Sequence, residues 1–188
     1  MHVCMYVQVK MAEKEEAGIA EGRGGQRGPE NVWGSAATAA ICAILAQFSP
    51  WDSALFKVGF VASLATKLSD TCGSEIGKAY GKTTYLITTM EKVPPGTEGA
   101  VSLEGTAAGV VGSLVLGACG LAANLIDVTG LWLAAVAAFV GCNCESVIGA
   151  AFQNKYAWLT NEVVNFINTA IGALVAMAGW LLLKSLAL

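Results

Sequence analysis

Charge and histidine are what this sequence has least of. Only 13% of its 188 residues are charged, and one residue, His2, is histidine. Soluble domains carry roughly a quarter charged residues. Here 55% are hydrophobic and the mean hydropathy is +0.58. No soluble core of this size can hide that much apolar surface, so the chain is read as a membrane protein. A lone histidine at the terminus argues against a zinc site, and no Cys-x-x-Cys is present. It equally disfavours a Ser-His-Asp or Cys-His hydrolase, which needs an imidazole deep in its site. Cys42, Cys119, Cys142 and Cys144 lie in apolar runs and read as small hydrophobes. A basic face is also missing: the net charge is −3, which excludes nucleic acid as a partner. Residues 2–9 are too short and mixed for a signal peptide, and no acid-poor, serine-rich transit peptide is visible.

What remains is long and oily. Residues 1–31 form a polar N-terminal segment, and 32–188 form the membrane domain. Five apolar spans are expected at Trp33–Ser49, Ala54–Ser69, Thr106–Ile126, Val128–Cys144 and Val163–Leu183. About 20 helical residues cross a bilayer core. The second span is short, with Lys57 and Lys67 near its ends, where lysines can snorkel. It gains length by continuing into "LSDTCGSEIGKAYGKTT", residues 68–84. The expected fold is all-α, a multi-pass bundle of about five spans.

Counting crossings places every substantial polar segment on one side. Lys10, Lys14, Arg23, Arg27, Lys78, Lys82, Lys92 and Lys155 fall there, against Lys184 and Lys57 on the other. The Lys/Arg excess marks that side as cytosolic or stromal. A chain so arranged works at one membrane face.

Four clusters sit on that face. The first holds Gly73, Gly77 and Gly81, four apart and so on one helical stripe, with Asp70, Glu75, Lys78 and Lys82 beside them. A small-residue packing seam accounts for the glycines. It does not account for the charges, which are costly at a membrane boundary. "GKAYGKT" is not a P-loop: three residues, not four, separate its glycines, and no strand precedes it. The second cluster, "VPPGTEGAVSLEGTAAG", carries Glu98, Ser102 and Glu104, with Glu104 placed to cap the third span. The third puts Glu145 and Gln153 at the end of an uncharged span, and the fourth aligns Asn161, Asn165 and Asn168 on one helix face. Inter-helix hydrogen bonding is the ordinary reading of such an asparagine stripe. Carboxylates suit Mg²⁺ and cations suit phosphates. The residues alone therefore point to a membrane enzyme handling a phosphorylated, lipid-like substrate.

"EEAGIAEGRGGQRGPENVWGS", "SLATKLSDTCGSEIGKAYGKTTYLITT", "VPPGTEGAVSLEGTAAG" and "ESVIGAAFQNK…WLTNEVVNFIN" resemble, in order, the multi-pass family that includes the plastid phytyl-phosphate kinase. The pattern Asp70, Ser74, Gly77, Gly81, Lys82 with Ser102–Thr106 is more loosely similar to CTP-dependent polyprenol and phytol kinases. The resemblance implies transfer of a CTP phosphate to phytyl monophosphate, for tocopherol and phylloquinone synthesis in a chloroplast membrane. It implies Asp70, Glu75 and Lys82 as catalytic residues and Asp70, Glu75 and Glu145 as Mg²⁺ ligands. It further implies Arg23, Arg27, Gly77, Lys78, Gly81, Ser102 and Glu104 around the phosphates, with Gln153, Asn161 and Asn165 lining the site. An isoprenoid phosphate and membrane lipid are the implied partners. Family members carry further hydrophobic helices before "EAGIAE", and plant members a transit peptide, so the N-terminus is expected to be shortened here. A small transporter of an anionic substrate is the rival reading, since intramembrane acids and glycine-broken helices also mark transport paths.

Overall fold

The computed structural model describes residues 10–19, 29–153 and 155–186. Arg23 and Arg27 lie outside the described residues. Six α-helices follow in order: α1 (Met11–Glu16), α2 (Pro29–Phe48), α3 (Ser53–Tyr80), α4 (Leu103–Ala122), α5 (Val128–Ile148) and α6 (Asn161–Leu186). The all-α bundle expected from the sequence is what forms. Among the described residues four helical segments are long and apolar enough to cross a membrane: Glu30–Phe48, Leu103–Ala122, Val128–Gln153 and Asn161–Leu186. The second expected span, Ala54–Ser69, merges with the charged motif into α3, 28 residues long. At 1.5 Å per residue it extends about 42 Å, more than a bilayer core needs.

α3 is the axis of the bundle. Its first half supplies Val58, Val61, Ala62 and Ala65 to a buried cluster with Ala134, Ala137 and Ala138 of α5 and Ala176 of α6. Large apolar side chains point outward instead, among them Ile44, Phe48, Val111, Val115, Trp132, Val136, Leu174 and Leu182. This inversion suits lipid as the surrounding solvent, where close backbone approach replaces hydrophobic burial as the packing force. Small and polar residues accordingly fill the interior: Ser63, Thr66, Ser113, Asn165, Asn168 and Thr169 are all buried. Thr38 and Thr169 share a hydrogen bond of 2.9 Å between α2 and α6. Membrane inter-helix hydrogen bonds of this kind average about 0.6 kcal/mol.

The α3–α4 seam brings backbone against backbone. A Cβ on Gly105 would stand 2.6 Å from the carbonyl oxygen of Gly73 and 3.1 Å from the Cα of Gly77. The glycine stripe read as a packing seam therefore is one, and its partner stripe is Gly105, Gly109 and Gly112 on α4.

The sequence reading missed a small sheet. Strands β1 (Thr84–Leu86) and β2 (Ala100–Ser102) pair antiparallel, Thr84 against Ser102 and Leu86 against Ala100. The intervening loop folds onto the end of α5. Gly99 has φ +76°, and a Cβ there would stand 2.5 Å from the Cβ of Ala150. Only glycine allows this backbone to turn and approach so closely. α5 itself ends in one wide π-type turn, Gly149–Gln153.

Candidate functional site

α3 leaves the membrane domain through its charged second half, and α4 and α6 begin, and α5 ends, at that same end of the bundle. Together with the β-hairpin they enclose a cavity of about 210 Å³. Its wall takes Lys67, Asp70, Gly73, Ser74, Gly77 and Lys78 from α3 and Gly105, Thr106, Gly109 and Val110 from α4. Phe139, Cys142, Asn143, Glu145 and Ser146 come from α5, Asn161 and Asn165 from α6, and Thr97, Glu98 and Ser102 from the hairpin.

The electrostatic centre is Asp70. Its carboxylate accepts a hydrogen bond from Lys67 Nζ at 2.7 Å, one helical turn back. Lys67 Nζ also donates to Asn165 Oδ1 at 2.6 Å, tying α3 to α6. Glu145 lies within side-chain hydrogen-bonding range of Asp70, with Glu98 further off. Both carboxyl groups line the same cavity. Asn165 is 2% exposed, and its Nδ2 has no partner although the residue lines the cavity. A buried amide donor left open is expensive, so it calls for an acceptor in the cavity.

α4 begins at this wall. Ser102 is its cap, accepting the backbone N–H of Gly105 at 3.1 Å. Capping thus falls to Ser102, while Glu104 occupies the first turn without lining the cavity. The N-terminus of α4 adds positive potential suited to an anion.

The cavity wall holds two lysines, Lys67 and Lys78, against three carboxylates, Asp70, Glu98 and Glu145. The wall thus carries one more carboxylate than lysine. Asp70 and Glu145 fit Mg²⁺, which is usually held by one or two carboxylates and completed by substrate phosphates and water.

Several expected site residues are brought together: Asp70, Gly77, Lys78, Ser102, Glu145, Asn161 and Asn165 all face the cavity. Others are not. Glu75 is buried and turned away, its carboxylate 2.5 Å from Lys14 Nζ of α1. The cause is helical geometry: five residues at 100° each carry Glu75 well round from Asp70. Among the described residues no group of three or more acidic, cysteine or histidine side chains converges for a metal. The expected trio of Asp70, Glu75 and Glu145 is therefore reduced to a pair. Lys82 is exposed and outside the cavity wall. Gly81 closes α3, its N–H bonded to Gly77 O, and a Cβ there would crowd Ser102 Oγ at 3.0 Å. Gln153 sits in the π turn, beside Gly149. Lys67 was read as a snorkelling lysine; its spacing of three from Asp70 was the signal that it belongs to the site.

Comparison with known proteins places this architecture. Residues 4–173 match the family described as integral membrane protein DUF92. An uncharacterised membrane protein of Synechocystis is 58% identical over 172 residues, 90% of this chain and 66% of the relative. The chloroplastic protein VTE6 of Arabidopsis thaliana is 49% identical over 175 residues, 90% of this chain and 53% of the relative. An uncharacterised membrane protein of Methanocaldococcus jannaschii is 34% identical over 151 residues, 80% of this chain and 61% of the relative. The chain thus spans between about half and two thirds of these relatives' lengths. No solved structure matches. On this match, and on its own bundle of membrane-length helices, the chain belongs to the DUF92 family of integral membrane proteins.

Proposed function

We propose that this chain is a membrane kinase that moves the terminal phosphoryl group of CTP onto phytyl monophosphate. The product, phytyl diphosphate, serves tocopherol and phylloquinone synthesis. Kinship with the chloroplastic Arabidopsis protein supports a plastid-type membrane setting. The lysine-rich end of the bundle, which carries the cavity, then faces the stroma or cytosol. One observation carries the reading. A cavity at the end of a lipid-facing bundle combines Asp70 and Glu145 with Lys67, Lys78 and the N-terminus of α4.

An oxygen of the acceptor phosphate attacks the terminal phosphorus of the nucleotide. The new P–O bond forms as the bond to the bridging oxygen of the departing nucleoside diphosphate breaks. The acceptor is already anionic, so no proton has to be removed, in keeping with a site that has no histidine. Lys78 offers its ammonium to the phosphates. Lys67 holds Asp70 and Asn165 in register, and the free Nδ2 of Asn165 donates to a phosphate oxygen. Asp70 and Glu145 would hold Mg²⁺, which supplies neutralisation of phosphate charge. Fixed charges and dipoles of this kind are the main route to a lower barrier where no covalent step by the protein is needed.

The test is direct. The purified chain in nanodiscs receives phytyl phosphate, Mg²⁺ and each nucleoside triphosphate in turn. Phytyl diphosphate is expected with CTP and is lost in Asp70→Ala. Folded protein that yields no product with any nucleotide, yet carries phytyl phosphate into vesicles, would replace the kinase with a transporter.

A further inference from the structure

We infer that the cavity opens sideways into the bilayer between α4 and α5, and that the hydrocarbon tail of the isoprenoid phosphate lies out through this opening in lipid. The inference rests on the kinase reading for the identity of the substrate, but its geometry is independent.

Two apolar residues carry it. Val110 and Phe139 line the polar cavity and are also 38% and 47% exposed on the outer surface. A side chain that is both wall and surface stands at a mouth. The two stand at a similar level of their helices. α4 and α5 are antiparallel and joined by a tight turn, and Val110 and Phe139 are nearly equally far along the chain from it. Thr106 and Asn143 form a second matched pair one turn nearer the membrane boundary. The opening therefore grades from polar to apolar with depth.

The depth is that of acyl chains. Val110 lies about 10 Å along α4 from its N-terminus, and α4 is long enough to span the core. α4 and α5 meet closely near their shared turn, where a Cβ on Gly117 would stand 3.2 Å from Leu131 Cγ. Nearer the cavity α4 leans on α3 instead, since Gly105, Gly109 and Gly112 contact Gly73, Ser69 and Cys72. The α3–α4 wall is sealed by backbone contact, and the α3–α6 wall is bridged by Lys67 and Asn165. Val110 of α4 and Phe139 of α5, each both cavity wall and exposed surface, put the mouth between these two helices. Asn143, on its rim, donates to its own helix through Phe139 O at 2.7 Å, so its amide does not stand bare against lipid. A phosphate held by Lys78 and Asn165 would thus sit in the polar cavity while its tail never leaves the membrane.

The experiment uses the full chain in nanodiscs with a phytyl phosphate bearing a diazirine midway along the tail. After illumination, peptide mapping is expected to find adducts on the segments holding Val110 and Phe139, suppressed by unlabelled phytyl phosphate. In turnover assays Val110→Trp and Phe139→Trp should each raise KM for phytyl phosphate about tenfold, a change typical of one altered apolar contact. KM for a five-carbon prenyl phosphate should stay unchanged. Competed adducts confined to α2 or α6, or no competed adduct at all, would overturn the opening and leave the kinase reading standing. Adducts at Val110 and Phe139 without phosphoryl transfer to any acceptor would keep the opening and remove the kinase.

Discussion

α3 carries two ion pairs that look alike and stand in different surroundings. Lys14–Glu75 spans 2.5 Å with side-chain exposures of 5% and 9%, and Lys67–Asp70 spans 2.7 Å with 13% and 14%. The first lies outside the cavity and fastens α1 to the bundle. The second lines the cavity, reaches Asn165 and stands beside Glu145. Burial and pairing alone therefore do not mark a functional charge. What separates the pairs is what else each can reach: the first lies outside the cavity, the second stands beside an unpartnered Asn165 Nδ2 and a second carboxylate, Glu145, on the cavity wall.

The largest expected effect breaks the fastening pair. Lys14→Ala leaves Glu75 buried and uncompensated and should cost about 3–5 kcal/mol of stability, read by thermal unfolding in detergent. Replacing both partners, Lys14→Met with Glu75→Leu, should restore most of it, because apolar packing offsets the lost attraction. Glu145→Gln, on the cavity side, should leave unfolding nearly unchanged and cut turnover about 10²–10³-fold, the usual loss for one preorganised electrostatic group. Asn165→Leu sharpens the contrast further. It removes the acceptor for Lys67 and the open donor together, and should lower kcat/KM about tenfold, roughly the worth of one charged hydrogen bond.

The smallest effect lies at the far end of the bundle, where exposed Lys184 Nζ meets Asp52 at 2.5 Å. That hydrogen bond, helped by the backbone N–H of Ala54, holds the Asp52 carboxyl below its ordinary 3.8. As pH falls the unfolded chain takes up this proton first. The pair's contribution is whole above the ordinary value and is lost as pH drops through the lowered one. Asp52→Asn should flatten that shallow acid limb of the unfolding curve and leave turnover alone.

Much of this was legible in the residues. The apolar runs marked the long helices, and the side-by-side count of lysines placed the polar clusters at one end. The continuation of the second span through Ser69 into Tyr80 was readable because no proline or turn signal interrupts it. The hairpin was not readable: three-residue strands such as "TYL" and "AVS" are too short to show a period of two. Cap identity at α4 was misjudged because Glu104 draws the eye, whereas the residue with extended backbone just before the helix is Ser102. Glu75 was grouped with Asp70 by proximity in sequence, and a helix wheel separates them. Which lysine meets which carboxylate depended on packing between α1, α3 and α6, and that no single run of residues encodes.

The most direct measurement compares Asp70→Asn with Glu75→Gln, each as turnover per folded molecule with phytyl phosphate, CTP and Mg²⁺. Asp70→Asn should fall by about 10²-fold or more, and Glu75→Gln should stay within a few-fold of the parent. Equal collapse of both variants, with folding intact, would contradict the division of the two ion pairs and the site built upon it.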